Sequence, residues 1–112
     1  IQGNFGPPGD QIDVTNISAY ATTEELLNDP AIQVVDICLP PHLHTPVALQ
    51  AIESGKHVFC EKPLALTSSD VKRLIDAAQL HNVKLFVGHV LPFIGPFAFL
   101  IDLVAKQTYG NI

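Results

Sequence analysis

Val58-Phe59-Cys60-Glu61-Lys62-Pro63, running on through Leu64-Ala65-Leu66 to Thr67-Ser68-Ser69-Asp70, is the stretch around which the rest of the chain arranges itself. A β-branched and aromatic run ends abruptly in two opposite charges and a proline. The spacing therefore predicts a strand that delivers Glu61 and Lys62 to its carboxyl end, where ligands sit in parallel sheets. Pro63 biases Lys62 toward extended backbone and aims its ammonium out of the sheet edge. Lys62 is the first candidate for chemistry; the plain alternative for a lysine beside a glutamate is a solvated turn pair.

Working outward, Val34-Val35-Asp36-Ile37-Cys38-Leu39 is β-rich, almost continuously apolar and closed by Pro40-Pro41, the pattern of a strand covered on both faces. Lys84 to Gly88 is a third short strand of the same kind, and Ile17 to Ala21 a fourth, weaker candidate. Helices are expected between them. Thr22-Thr23-Glu24-Glu25 is a capping box opening a helix that stops at Asp29-Pro30. Thr45 with Pro46 at the first helical position opens a second, which Gly55 ends. Thr67 opens a third with Val71, Leu74, Ile75 and Ala78 on one face. Phe97, Leu100, Ile101 and Val104 repeat that spacing near the end of the chain. Each connection from Leu39 to His57 and from Glu61 to Lys84 holds a helix, so the three main strands should be parallel. Alternating strand and helix is the signature of a doubly wound α/β sheet. The expected organisation is a loop over residues 1–16, an α/β unit over residues 17–92 and a helix over residues 93–112.

Composition narrows the function. In 112 residues, 47% are apolar and only 15% charged, a balance suited to buried parallel strands or to a piece of something larger. Starting at Ile1 without methionine, the sequence is expected to be processed or truncated. The net charge of −5, without a run of either sign, argues against nucleic acid or an anionic membrane as partner. No apolar run approaches the roughly 18 residues of a membrane span. Cys38 and Cys60 fall in apolar strands and read as small buried thiols in a reducing, cytoplasmic setting. Gly3-Asn4-Phe5-Gly6-Pro7-Pro8-Gly9 is not a phosphate loop, because no strand precedes it and its prolines lack the amide donors a phosphate needs.

Several of these stretches in combination, Val34 through Leu39-Pro40-Pro41-His42-Leu43-His44, Gly55-Lys56-His57-Val58, Glu61-Lys62-Pro63-Leu64-Ala65 and Val87-Gly88-His89, resemble the nucleotide domain of the Gfo/Idh/MocA oxidoreductase family. The likeness covers residues 17–112. It implies part of a Rossmann-like doubly wound sheet, lacking the first βαβ unit with its Gly-x-Gly-x-x-Gly turn and lacking the substrate domain. It implies hydride transfer between NAD or NADP and a sugar, polyol or related hydroxyl carbon, in a homo-oligomer. By the same resemblance Lys62 is the active-site lysine and touches the nicotinamide ribose. Leu39, Pro40 and Pro41 line the cofactor crevice, His44 lies near the pyrophosphate and ribose, Glu61 sits beside the nicotinamide, and the Lys62–Pro63 bond is often cis. His89 ends a strand on the ligand side, with a hydrogen bond to its own turn as the alternative. Two departures stand out: Pro41 replaces a usual asparagine, and Val90-Leu91-Pro92-Phe93 replaces a run that normally carries an arginine. Lacking the pyrophosphate turn, the isolated chain is expected to hold NAD(P) weakly and to be inactive alone.

Other readings compete. Cys38, His42 and His44 with Cys60 could suggest zinc, but no Cys-x-x-Cys or His-x-x-x-His spacing exists. Cys60 as a nucleophile lacks an evident base. A non-catalytic interaction or scaffold module, with Lys62 structural, is the main alternative to the enzyme.

Overall fold

In the computed structural model, which describes residues 13–110, the elements follow the order α1 (Thr23–Asn28), β1 (Val34–Ile37), α2 (Pro41–Glu53), β2 (His57–Cys60), α3 (Ser68–Leu80), β3 (Leu85–Val87), a 3₁₀ turn (Leu91–Phe93) and α4 (Gly95–Ala105). The three strands form one parallel sheet in the order β1-β2-β3, with Ile37 opposite Cys60 and Cys60 opposite Val87. The connecting helices belong to the expected α/β plan of a partial Rossmann-like sheet. The glycine- and proline-rich stretch from Gly3 to Gly9 lies outside the described residues.

The ends of the helices are set by local chemistry. Thr22 Oγ1 accepts from the Glu25 amide at 3.2 Å while the Glu25 carboxylate accepts from the Ala21 amide at 2.9 Å, the reciprocal pairing of a capping box. Thr67 does the same service for α3, accepting from the Asp70 amide at 3.1 Å. At the end of α2, Gly55 takes φ +74°, a conformation that glycine adopts without a Cβ penalty, and the Lys56 amide closes back onto Ala51 O at 2.9 Å. α2 begins four residues earlier than Thr45: Pro41 occupies the first turn and Pro46 lies inside the helix. Pro41 has the fixed φ that suits a first helical residue, so the proline that ends β1 also starts α2.

The core lies on one side of the sheet. Val35, Ile37, Val58 and Cys60 point toward α2 and α3, where Ala48, Ala51, Ile52 and Leu74 are fully buried against them. Burying one such aliphatic side chain contributes about 1.5–3 kcal/mol. The opposite face is bare, contrary to the expectation of strands covered on both sides: Val34 and Asp36 are exposed, and Phe59 stacks on Phe86 at 5.1 Å between centroids. Strict alternation decides the cysteines as well. Cys60 is buried, but Cys38 falls one position beyond Ile37 on the open side and is exposed, its Sγ 3.5 Å from Asp36 Oδ1. Residues Ile17 to Ala21 form no strand; they run unpaired beside β1, where Ser18 to Thr23 and Val35 to Leu39 line a groove of about 620 Å³.

Candidate functional site

Parallel pairing in register brings the exits of β1 and β2 to the same end of the sheet. From β1 emerge Leu39 and Pro40, both exposed, followed by Pro41 at the start of α2. From β2, the central strand, emerge Glu61 and Lys62. From β3 come Gly88 and His89, the first buried and the second exposed.

Glu61 is anchored at both ends. Its amide donates to Ile37 O at 3.0 Å, extending the ladder past the last strand residue, and its carboxylate accepts from the Lys62 amide at 3.1 Å. The same carboxylate lies against Gly88: a Cβ built on Gly88 would stand 3.3 Å from Glu61 Cδ and both carboxylate oxygens. Only glycine leaves that approach free of crowding. Lys62 is exposed, and among the described residues its ammonium has neither a hydrogen-bond nor an ion-pair partner. The Lys62–Pro63 peptide bond is cis.

His44 sits differently from the other candidates. It is 1% exposed, with ring Nδ1 2.7 Å from Pro63 O and Nε2 2.7 Å from Leu39 O. Both nitrogens are occupied by main-chain carbonyls. His89 donates its amide to Val87 O at 2.7 Å, leaving its ring exposed at the strand end. Cys60 is a poor nucleophile, since burial first and the Glu61 charge second push its thiol up to about 11. Among the described residues no group of three or more His, Cys, Asp and Glu side chains could hold a metal ion.

Sequence reading passed over one buried cation. Lys56 is 8% exposed and donates to Asp29 O at 2.8 Å, while Asp29 Oδ2 accepts from the Tyr20 hydroxyl at 2.6 Å. This network ties the end of α1 to the entry of β2. It lies at the opposite end of β2 from Lys62, away from the strand exits.

The chemical set at the exits is an apolar lip from Leu39 and Pro40, a fixed carboxylate, an unpaired ammonium and a ring nitrogen at His89. That set fits the nicotinamide end of a dinucleotide, a flat carboxamide-bearing ring with a ribose. It does not fit a pyrophosphate, because no glycine-rich turn with clustered amides occurs among the described residues.

Residues 10–89 match the family described as oxidoreductase family, NAD-binding Rossmann fold. The chain belongs to this Gfo/Idh/MocA family. It is 53% identical over 94 residues to an uncharacterised oxidoreductase of Rhizobium meliloti, covering 84% of this chain and 28% of that one. It is 36% identical over 93 residues to a myo-inositol 2-dehydrogenase of Thermotoga maritima, covering 83% and 28%. Among solved structures, a biliverdin reductase of Synechocystis in complex with biliverdin and NADP+ superposes with a TM-score of 0.70 at 33% identity, covering 78% and 28%. The chain spans about a quarter of the length of the relatives it matches. Among the described residues no helix is long and apolar enough to cross a membrane.

Proposed function

We propose that this chain forms the nicotinamide side of an NAD(P)-dependent oxidoreductase acting on a sugar, polyol or related hydroxyl compound, with Lys62 as the catalytic lysine. The observation that carries this reading is the unpaired, exposed ammonium of Lys62 at the exit of the central strand, beside the exposed exit of β1. A buried or salt-bridged lysine there would be structural; this one is available to a ligand. Membership of the oxidoreductase family supports the reaction class, and the myo-inositol dehydrogenase among the relatives supports the substrate class.

When bound, a nicotinamide accepts or supplies the hydride at the reacting carbon. Leu39, Pro40 and Pro41 give one wall for the ring and ribose, and Glu61, Lys62 and His89 give polar groups to orient them. As the free amine, Lys62 would take the proton of the substrate hydroxyl while that carbon loses its hydride, becoming the ammonium, and as the ammonium it would return the proton in the reverse direction. Such proton transfer is worth about 10²–10⁴ in rate. Val90-Leu91-Pro92-Phe93 offers no cation to a substrate here, so an uncharged hydroxyl compound is the better match.

The test is turnover of the full-length protein with NAD+ or NADP+ against a panel of sugars and polyols including myo-inositol. Lys62→Ala should lower kcat about 10²-fold or more. A Lys62→Ala protein that turns over at the original rate would remove the lysine from the chemistry.

A further inference from the structure

We propose that His44 is a positioning residue, a clamp in the first turn of α2 that fixes the Lys62-bearing exit of β2 to the exit of β1. The inference rests on Lys62 as the catalytic lysine, and it assigns His44 a role other than direct contact with the cofactor.

Three observations carry it. First, His44 is 1% exposed, so its polar ring is buried with no access to ligand. Second, its two nitrogens reach two different segments: Nε2 lies 2.7 Å from Leu39 O, just past the end of β1, and Nδ1 lies 2.7 Å from Pro63 O, the residue after Lys62. A carbonyl oxygen only accepts, so the ring supplies the N–H to these carbonyls. Third, among the described residues few hydrogen bonds hold that exit beyond Glu61, although Leu64 and Ala65 pack against the core. Pro63 has no amide to donate, and among the described residues Lys62 bonds only through its amide to its neighbour Glu61. The Pro63 carbonyl is therefore the polar anchor of the segment between Glu61 and the α3 cap at Thr67, beside the packing of Leu64 and Ala65.

The chemistry follows from geometry. A lysine ammonium must stand within about 3 Å of the reacting oxygen, and small misplacements are costly to rate. The long side chain of Lys62 is mobile, so its backbone must be held. His44 supplies that hold, and by bonding Leu39 O at the same time it fixes the lysine relative to the apolar lip opposite. The buried bonds are also worth making for stability, which is why a readout specific to the exit is needed.

The side-chain nitrogen of asparagine stands near the position of histidine Nδ1, and that of glutamine near Nε2. His44→Asn thus keeps a donor for Pro63 O, whereas His44→Gln keeps one for Leu39 O and His44→Phe keeps neither. In the full-length protein, amide hydrogen exchange is followed over residues 61–66 and over α3, together with NAD+-dependent turnover of myo-inositol, for these three variants and for Lys62→Ala. His44→Gln and His44→Phe should speed exchange within residues 61–66 about tenfold at the hydrogen-bonded Glu61 amide, the factor expected for one lost buried hydrogen bond. α3 should keep its protection. His44→Asn should keep residues 61–66 closed, and kcat should follow the same ranking with KM for NAD+ unchanged. Exchange that rises equally in both segments in every variant, or a 61–66 segment unmoved by His44→Phe, would overturn the clamp. Lys62→Ala separates the two readings: unaltered turnover there defeats the catalytic lysine alone, because exchange still decides whether His44 holds the exit.

Discussion

Gly88 is the residue at which the site and the fold press closest. It is buried at the exit of β3, its amide donates to Cys60 O at 2.8 Å, and its missing side chain is the space that the Glu61 carboxylate fills. Its φ is not in the left-handed region, so alanine meets no backbone penalty there. Crowding alone remains. Gly88→Ala should therefore displace Glu61 and weaken NAD(P) affinity by severalfold while moving Tm little, measured by calorimetry and thermal melts of the full-length protein. In a Glu61→Ala background the same substitution should have no further effect on affinity, as expected when two changes share one contact. An additive loss would show that Gly88 acts elsewhere.

Much of this residue-level picture was open to a reader of the sequence, and the remainder had a physical reason to stay hidden. Lys62 and Glu61 announced themselves because proline ends a strand and charge ends an apolar run. Cys38 misled because a continuous apolar run conceals the period of two; only the burial of Val35 and Ile37 shows which side each residue takes. His44 could be picked out but not placed, since its partners are main-chain carbonyls of two other segments and leave no trace in side-chain pattern.

At the scale of elements, the helices were legible from their caps and stripes. Leu74 and Ala78 are buried as the spacing of α3 predicts, whereas Ile75 on the edge of that stripe is 44% exposed. The start of α2 was harder, because Pro40-Pro41 and Pro46 each satisfy a helix-start rule and only packing chooses between them. Lys56 was missed because a Gly-Lys-His run after a helix reads as a solvated turn, yet the lysine reaches across to cap α1. The Tyr20–Asp29 pair beside it makes a pH prediction. The Tyr20 hydroxyl, then the Ala31 amide, hold the Asp29 carboxyl below its ordinary value, and the same bond to Asp29 raises Tyr20 above its own. The lowered carboxylate stabilises the fold above the unfolded-state value near ~3.9, and this contribution fades as pH falls through the folded value. The raised phenol stabilises the fold below ~10 and its contribution fades as pH rises through its folded value. Tyr20→Phe should therefore lower Tm at neutral pH and flatten its fall at both extremes. Parallel Tm profiles for the two proteins would rule the pair out as a stabilising contact.

On the scale of the whole molecule, the sequence showed the apolar stripe of α4 but not what it faces. Phe97, Leu100, Ile101 and Val104 are 43%, 54%, 51% and 50% exposed, and α4 contacts chiefly the 3₁₀ turn before it. The radius of gyration is 18.0 Å, against about 13 Å for a compact domain of this length. The 112-residue chain should accordingly bind an environment-sensitive hydrophobic dye, and replacing Leu100 and Val104 by lysine should remove a substantial part of the fluorescence. No change in signal would mean that the stripe is covered in solution.

The position of β2 between β1 and β3 has one more consequence. A strand bonded along both edges is the stiffest mounting a sheet can offer, and Lys62 stands at its tip. Whatever spread the ammonium shows in space is then contributed by four methylenes and the short turn behind them, so the precision of its placement reduces to how few torsions remain free.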